Sequence, residues 1–190
     1  MIGEHFTFHH MTDLPGVQWI EPVVHADERG FFMETYRARD FATAGIWDVF
    51  VQDNHSRSAL GVLRGLHLQK THPQAKLVRC ISGAVWDVAV DVDPASPAFG
   101  RWFGIELSAV NRYQLYIPAG MAHGFLSLAD GTEFVYKCSA EYDPDDEAGV
   151  VWSDRQLGVA WPLQGVGTPV VSLKDAALPT LEQYLKERGS

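Results

Sequence analysis

Only two cysteines, Cys80 and Cys138, occur in the 190 residues, and they share no CxxC spacing. That excludes a disulfide scaffold or a thiolate metal knuckle and predicts two reduced, buried thiols. No stretch approaches the ~18 consecutive apolar residues of a membrane helix. The opening MIGEHFTFHHMTDLPG also lacks the basic-then-apolar order of a secretion signal, so the expectation is a soluble, cytoplasmic protein. Cations are in short supply: 15 Lys and Arg stand against 24 Asp and Glu, a net charge of −9 with no basic block. Generic binding to nucleic acid or to an anionic membrane is therefore disfavoured, and an anionic ligand must meet a local cationic site. Phosphate-binding glycine loops and nicotinamide fingerprints are missing too, which points to redox-neutral chemistry. The acidic run Asp143 to Glu147 has neither the glycine nor the ligand spacing of a calcium loop and reads as an exposed turn, with Glu147 alone kept as a ligand contact. His5, His9 and His10 are scattered through a polar N-terminus and read as solvated.

Apolar residues are plentiful, 46% of the chain with ten Phe, six Tyr and six Trp, which is enough to bury a core. At ~100–200 residues per domain, a single domain over residues 1–190 is expected. Short apolar or alternating runs separated by turn residues predict an all-β sandwich or barrel. The candidate strands are Val17–Val24, Gly30–Tyr36, Val49–His55, Val62–Gln69, Lys76–Ser82, Ala84–Asp91, Trp102–Leu107, Gln114–Ile117, Ala122–Leu128, Thr132–Tyr142 and Val150–Trp152. In Ala84–Asp91, Trp86, Val88 and Val90 face one way and Asp87 and Asp91 the other, the pattern of a half-buried strand. Helical spacing is confined to Arg39–Ala44 and a C-terminal tail built on Leu178, Leu181, Tyr184 and Leu185. Gln164–Pro169 reads as a loop before that tail.

Two segments carry the chemistry. Gly61-VLRGL-His67-LQ-KTHPQA-Lys76-LVRCIS-Gly83 and Pro118-A-Gly120-MA-His123 resemble the two motifs of the cupin double-stranded β-helix, in which histidines and a glutamate converge inside a jelly-roll barrel. Scaffold glycines, the proline and two histidines match. Gln69 stands where the second histidine belongs, and Lys76, separated from Gly83 by six residues, stands in place of the glutamate. An ammonium repels a divalent cation and offers no lone pair, and an amide is a poor ligand, so no bound metal is expected. Buried His, Lys, Arg and Tyr side chains at motif spacing instead predict proton-transfer chemistry.

Seven ordered segments extend the likeness from Val17 to Ala177: DERGFFMETY, FVQDNHS, VLRGLHLQ, KLVRC, IPAGMAHGF, EFVYK and SLKDA. With them the chain resembles the dTDP-4-dehydrorhamnose 3,5-epimerases, cupin-fold enzymes that act without metal or nicotinamide. The resemblance implies His67 as general base and Tyr136 as general acid, with Asp175 as the carboxylate paired to that histidine. It implies substrate contacts at Arg29, Glu34, Gln52, Asp53, Asn54, Arg64, Lys76, His123, Glu147 and Lys174. It also implies a nucleotide-sugar substrate, no cofactor and a homodimer. The residue types fit such chemistry. Protons on C3 and C5 of a 4-keto sugar flank a carbonyl, so their removal gives an enolate with charge gathered on the C4 oxygen. Imidazole, with an ordinary pKa of ~6.5, suits the base. Lys76 would stabilise the enolate, and strand alternation puts Tyr136 on one face with Phe134 and Cys138. Arg64 and Arg29 suit a diphosphate, while Gln52 and Asn54 either read a pyrimidine edge or cap strand-end backbone. Three alternatives remain open: an epimerase that inverts one carbon only or takes a sugar on a different nucleotide, a sugar-nucleotide binding cupin without catalysis, and a metal-dependent cupin oxygenase.

Overall fold

The alternating runs fold into fourteen strands and three short helices in the computed structural model, which describes residues 4–188. In chain order these are β1 (Phe6–His10), β2 (Gln18–Pro22), β3 (Val24–Asp27), β4 (Gly30–Met33), α1 (Ala38–Thr43), β5 (Gln52–Ser58) and β6 (Val62–Gln69). Then come β7 (Lys76–Ser82), β8 (Ala84–Val90), β9 (Trp102–Ser108), β10 (Gln114–Ile117), β11 (Ala122–Ser127) and β12 (Thr132–Cys138). The chain closes with β13 (Glu147–Gly149), β14 (Val170–Val171), α2 (Leu173–Ala176) and α3 (Leu181–Arg188). One sheet runs β1-β2-β10-β7-β12-β5, and the second runs β13-β6-β11-β8-β9 with β14 added in parallel to β6. Successive strands pass back and forth between the sheets, the topology of the expected jelly roll. No helix among the described residues is long and apolar enough to cross a membrane.

The core lies between the sheets. Val78, Leu115 and Phe134 of the first sheet pack with Val85, Ala89, Leu107 and Phe125 of the second, all at most 4% exposed. A further cluster covers the outer face of the second sheet, where Val88 and Val90 meet Leu181 and Tyr184 of α3. This double covering corrects the half-buried reading of β8. Both of its faces are sealed, and Asp87, on the inner face, is fully excluded from solvent.

Three other expectations change. β1 was not anticipated, because its histidines mask Phe6 and Phe8, which are buried against Phe41. Two of the three N-terminal histidines are engaged rather than solvated: Nδ1 of His5, just before β1, lies 2.7 Å from a Glu34 carboxylate oxygen, and the His9 ring stacks on Trp19 at 3.6 Å, while His10 is exposed as expected. The pairing expected at Val150–Trp152 falls instead at β13, which joins β6 through Glu147, Ala148 and Gly149. Asp146 is not an exposed turn residue, since its carboxylate accepts the backbone N–H groups of Thr71 and His72.

β6 and β11 approach unusually closely. His123 lies directly opposite His67, and the register shifts between His123 and Phe125. Gly124 permits this, because a Cβ there would sit 2.7 Å from the Arg64 carbonyl oxygen and 3.1 Å from Leu66 Cδ2. The Gly124→Ala variant is therefore expected to lose about 1–3 kcal/mol of stability, the cost of forcing packed backbones apart. Urea unfolding checks this, and a midpoint equal to that of the parent protein contradicts it.

Candidate active site

Both sheets contribute side chains to a cavity with two lobes of about 240 and 500 Å³ that share part of their lining. His67, Lys76, Tyr136, Tyr142 and Glu147 line both lobes. The smaller lobe adds Gln52, Asn54, Gln69 and Cys138, and the larger adds Arg64, His123, Lys174 and Asp175. His67 enters from β6 in one sheet and Tyr136 from β12 in the other, so the two reach the cavity from opposing walls.

His67 is held by Asp175. Its Nε2 lies 2.6 Å from Asp175 Oδ1 and 4.0 Å from Glu147 Oε1. Asp175 is placed by local chain logic: β14 pairs with β6 and delivers the chain into α2, where the Ser172 hydroxyl accepts the Asp175 N–H at 3.0 Å. Burial pushes the Asp175 carboxyl up, but its bond to His67 and the nearby imidazole outweigh burial and hold it below the usual carboxylate range.

Lys76 makes no hydrogen bond or ion pair with the described residues. Burial pushes its ammonium down, opposed by Cys138, Asp87 and Glu147. Tyr136 likewise has no hydrogen-bond partner among the described residues. Burial, together with Cys138, raises its hydroxyl against the opposing pull of Arg64, so it stays a protonated donor at neutral pH. Opposite this wall, His123 Nε2 sits 3.0 and 3.1 Å from the two oxygens of the buried Asp87.

Glu147 sits at the mouth, where the Tyr142 hydroxyl donates to it and the Lys174 ammonium pairs with it. Burial pushes the Glu147 carboxyl up, but these two partners prevail and leave it lowered. Gln52 is engaged in building the wall: Nε2 donates to Asn54 Oδ1 at 3.0 Å, and Oε1 accepts the Tyr142 N–H at 2.8 Å. Asn54 donates in turn to Cys138 Sγ at 3.6 Å.

Of the residues singled out from sequence, the fold brings His67, Tyr136, Lys76, Asp175, Gln52, Asn54, Arg64, His123, Glu147 and Lys174 to this cavity. Asp53 is not among them. The two-residue period of β5 turns it to the outer face, where it accepts from Lys137 Nζ at 2.8 Å. Arg29 and Glu34 also lie outside the cavity. Arg29 belongs to the β3–β4 hairpin and pairs with Asp27, and Glu34 follows that hairpin and pairs with His5 and Arg37. Sequence reasoning passed over Asp87 as a site residue, and Tyr142 was not among the site residues it named. A lone acid among the apolar residues of Ala84–Val90 was the available signal for Asp87; for Tyr142, exposed in a loop, there was none.

The residues do not fit the metal that the cupin pattern ordinarily holds. The Gln69 amide is consumed by the backbone of the adjoining loops: Nε2 donates to the His72 carbonyl at 2.8 Å and Oε1 accepts the Asp143 N–H at 2.9 Å. Lys76 brings a positive charge, and no group of three His, Cys, Asp or Glu side chains among the described residues is arranged to hold an ion.

Comparison with known proteins accords with this geometry. The sequence profile of the dTDP-4-dehydrorhamnose 3,5-epimerases matches residues 11–183. The chain is 49% identical over 176 residues to the dTDP-4-dehydrorhamnose 3,5-epimerase of Salmonella typhimurium, covering 92% of this chain and 95% of that protein. The Neisseria gonorrhoeae enzyme of the same name is 51% identical over 175 residues, and the match takes in 92% of this chain and 53% of that longer protein. The Legionella pneumophila dTDP-6-deoxy-D-glucose-3,5-epimerase, solved in complex with dTDP-4-keto-L-rhamnose, superposes with a TM-score of 0.92 at 43% identity, covering 97% of both chains. Profile, identity and superposition all extend across the cavity-forming strands, and the chain belongs to the dTDP-4-dehydrorhamnose 3,5-epimerase family.

Proposed function

We propose that this cavity epimerises C3 and C5 of dTDP-4-dehydro-6-deoxy-D-glucose to give dTDP-4-dehydro-L-rhamnose, by enolisation next to the C4 ketone. The observation that carries the proposal is a His67–Asp175 pair and a Tyr136 hydroxyl on opposing walls, sharing one cavity with an unpaired ammonium. His67 removes the proton from C3 or C5, and Asp175 orients its ring and stabilises the imidazolium that forms. The electron pair moves into the C4 carbonyl, whose developing negative charge meets Lys76. Tyr136 returns a proton from the opposite side, and the configuration is inverted. No step needs a metal or a redox cofactor.

The nucleotide follows from the rest of the lining. Arg64, unpaired at the mouth, supplies a cationic fork for the diphosphate, with Lys174 beside it. Gln52 and Asn54 lie at the far lobe with the exposed Tyr142 ring, a setting for a pyrimidine. Arg29, Glu34 and Asp53 complete the reading through a second copy of the chain in a cytoplasmic homodimer. The β3–β4 hairpin extends Phe31 and Phe32 into solvent at 56% and 67% exposure, and its Arg29 cannot serve its own cavity. A shared site of this kind joins each hairpin to the partner's barrel.

Two experiments test these statements. In deuterated water, His67→Asn is expected to abolish both inversion and label uptake, since no enolate forms. Tyr136→Phe keeps the base, so deuterium should enter C3 or C5 while the original configuration survives. NMR of the recovered nucleotide sugar reads both quantities, and their decline in equal proportion would remove Tyr136 from the acid role. For the shared site, His67→Asn and Arg29→Ala chains, each poorly active alone, are mixed after reversible dissociation. Hybrid dimers then hold one intact site, and activity should recover to about a quarter of the parent value; no recovery rules out Arg29 acting across the dimer.

A further inference from the structure

The reaction above uses one histidine–carboxylate pair, yet the cavity contains two. His123 lies directly opposite His67 across the β6–β11 ladder, and its partner Asp87 projects from the neighbouring strand β8. Asp87 is fully excluded from solvent, in a layer that otherwise consists of Val85, Ala89, Phe125 and Phe134. A carboxylate placed there is costly unless it has hydrogen-bond and charge partners. It has one of each kind. Both of its oxygens face His123 Nε2 at 3.0 and 3.1 Å, and across the interior its charge acts on the Lys76 ammonium, which lacks an ion pair of its own.

This arrangement has a chemical consequence. A carboxylate can only accept, so Nε2 of His123 must carry the proton, and Nδ1 is left without a protein partner in a ring that lines the substrate cavity. We propose that Asp87 is a positioning residue of the reaction: it sets the tautomer and orientation of His123 and supplies the internal counter-charge for the cationic floor formed by Lys76. The inference rests on the enolisation reading, because only a developing C4 oxyanion gives that cationic floor its task.

The titratable groups that share the cavity with Lys76 are His67 and Arg64 from β6, His123 from β11, Tyr136 and Cys138 from β12, Glu147 from β13 with Tyr142 before it, and Lys174 and Asp175 from α2, and Asp87 of β8 acts on it from outside that lining. Asp87 is the carboxylate of this set that is fully sealed from water, whereas Asp175 bonds His67 and Glu147 has Lys174 and Tyr142 as partners. Removing its charge destabilises the ammonium, so the alkaline limit of activity must move to lower pH.

The test uses two measurements. In the parent protein labelled with 15N-histidine, long-range proton–nitrogen NMR should show His123 protonated at Nε2; a neutral ring protonated only at Nδ1 overturns the proposal, whatever any variant does. Asp87→Asn keeps an acceptor for Nε2 and removes only the charge. Its kcat/KM should fall about tenfold or more at neutral pH, and its alkaline limb should move down by about one pH unit or more. Calorimetric affinity for dTDP should stay unchanged. A variant whose pH profile matches the parent's overturns the charge role. Should the parent protein exchange no deuterium at C3 or C5 of the keto sugar, the enolisation reading fails, and the His123 tautomer still decides whether Asp87 positions that ring.

Discussion

An ammonium held inside a barrel with no ion pair among the described residues is the constraint around which the site is arranged. Burial disfavours the charged form of Lys76, and the opposing influences are the acidic groups Asp87 and Glu147 and the thiol Cys138. A fully paired lysine would have its charge spent on the protein. Lys76 makes no such pair with the described residues, which under the proposed enolisation leaves its donors to a substrate oxygen. The same logic explains why the cupin architecture persists while its metal ligands do not. Gln69, at a ligand position, now fastens the His72 and Asp143 backbones, and positive charge is supplied by a side chain instead of an ion.

The placement of the histidines depends on backbone contact. Gly124 lets β11 lie against Arg64 and Leu66 of β6, which sets His67 and His123 side by side with their rings served by different carboxylates. One carboxylate comes from a short helix outside the barrel and the other from a strand within it. Asp175 therefore bonds a ring at the cavity edge, where the proposed enolisation requires a base that gains and loses a proton. Asp87 bonds a ring that is itself buried. The difference in burial between the two histidines, 28% side-chain exposure for His67 and 8% for His123, matches a proton carrier and a fixed contact.

Much of this was legible in the sequence, for identifiable reasons. Val62–Gln69, Lys76–Ser82 and Gln114–Ile117 were bounded correctly because turn residues flank them. β1 escaped because His5, His9 and His10 obscure the two buried phenylalanines, and β13 because three residues carry no periodicity. Motif spacing found most of the cavity lining but could not assign facing. Asp53 shares a motif with Gln52 and Asn54 and yet points outward, as strand alternation requires. Nor could spacing show that Arg29 and Glu34 lie away from the cavity of their own chain. Asp87 was read as solvent-facing because alternation reports two faces without saying that both are covered.

The measurement that bears most directly on the account is the steady-state kinetics of Lys76→Met, which preserves length and removes the charge. Enolate charge exists chiefly in the transition state, so the account predicts a fall in kcat of roughly a hundredfold, with KM changed far less. A variant whose KM rises while kcat stays within about twofold would contradict it, because Lys76 would then contribute equally to ground state and transition state.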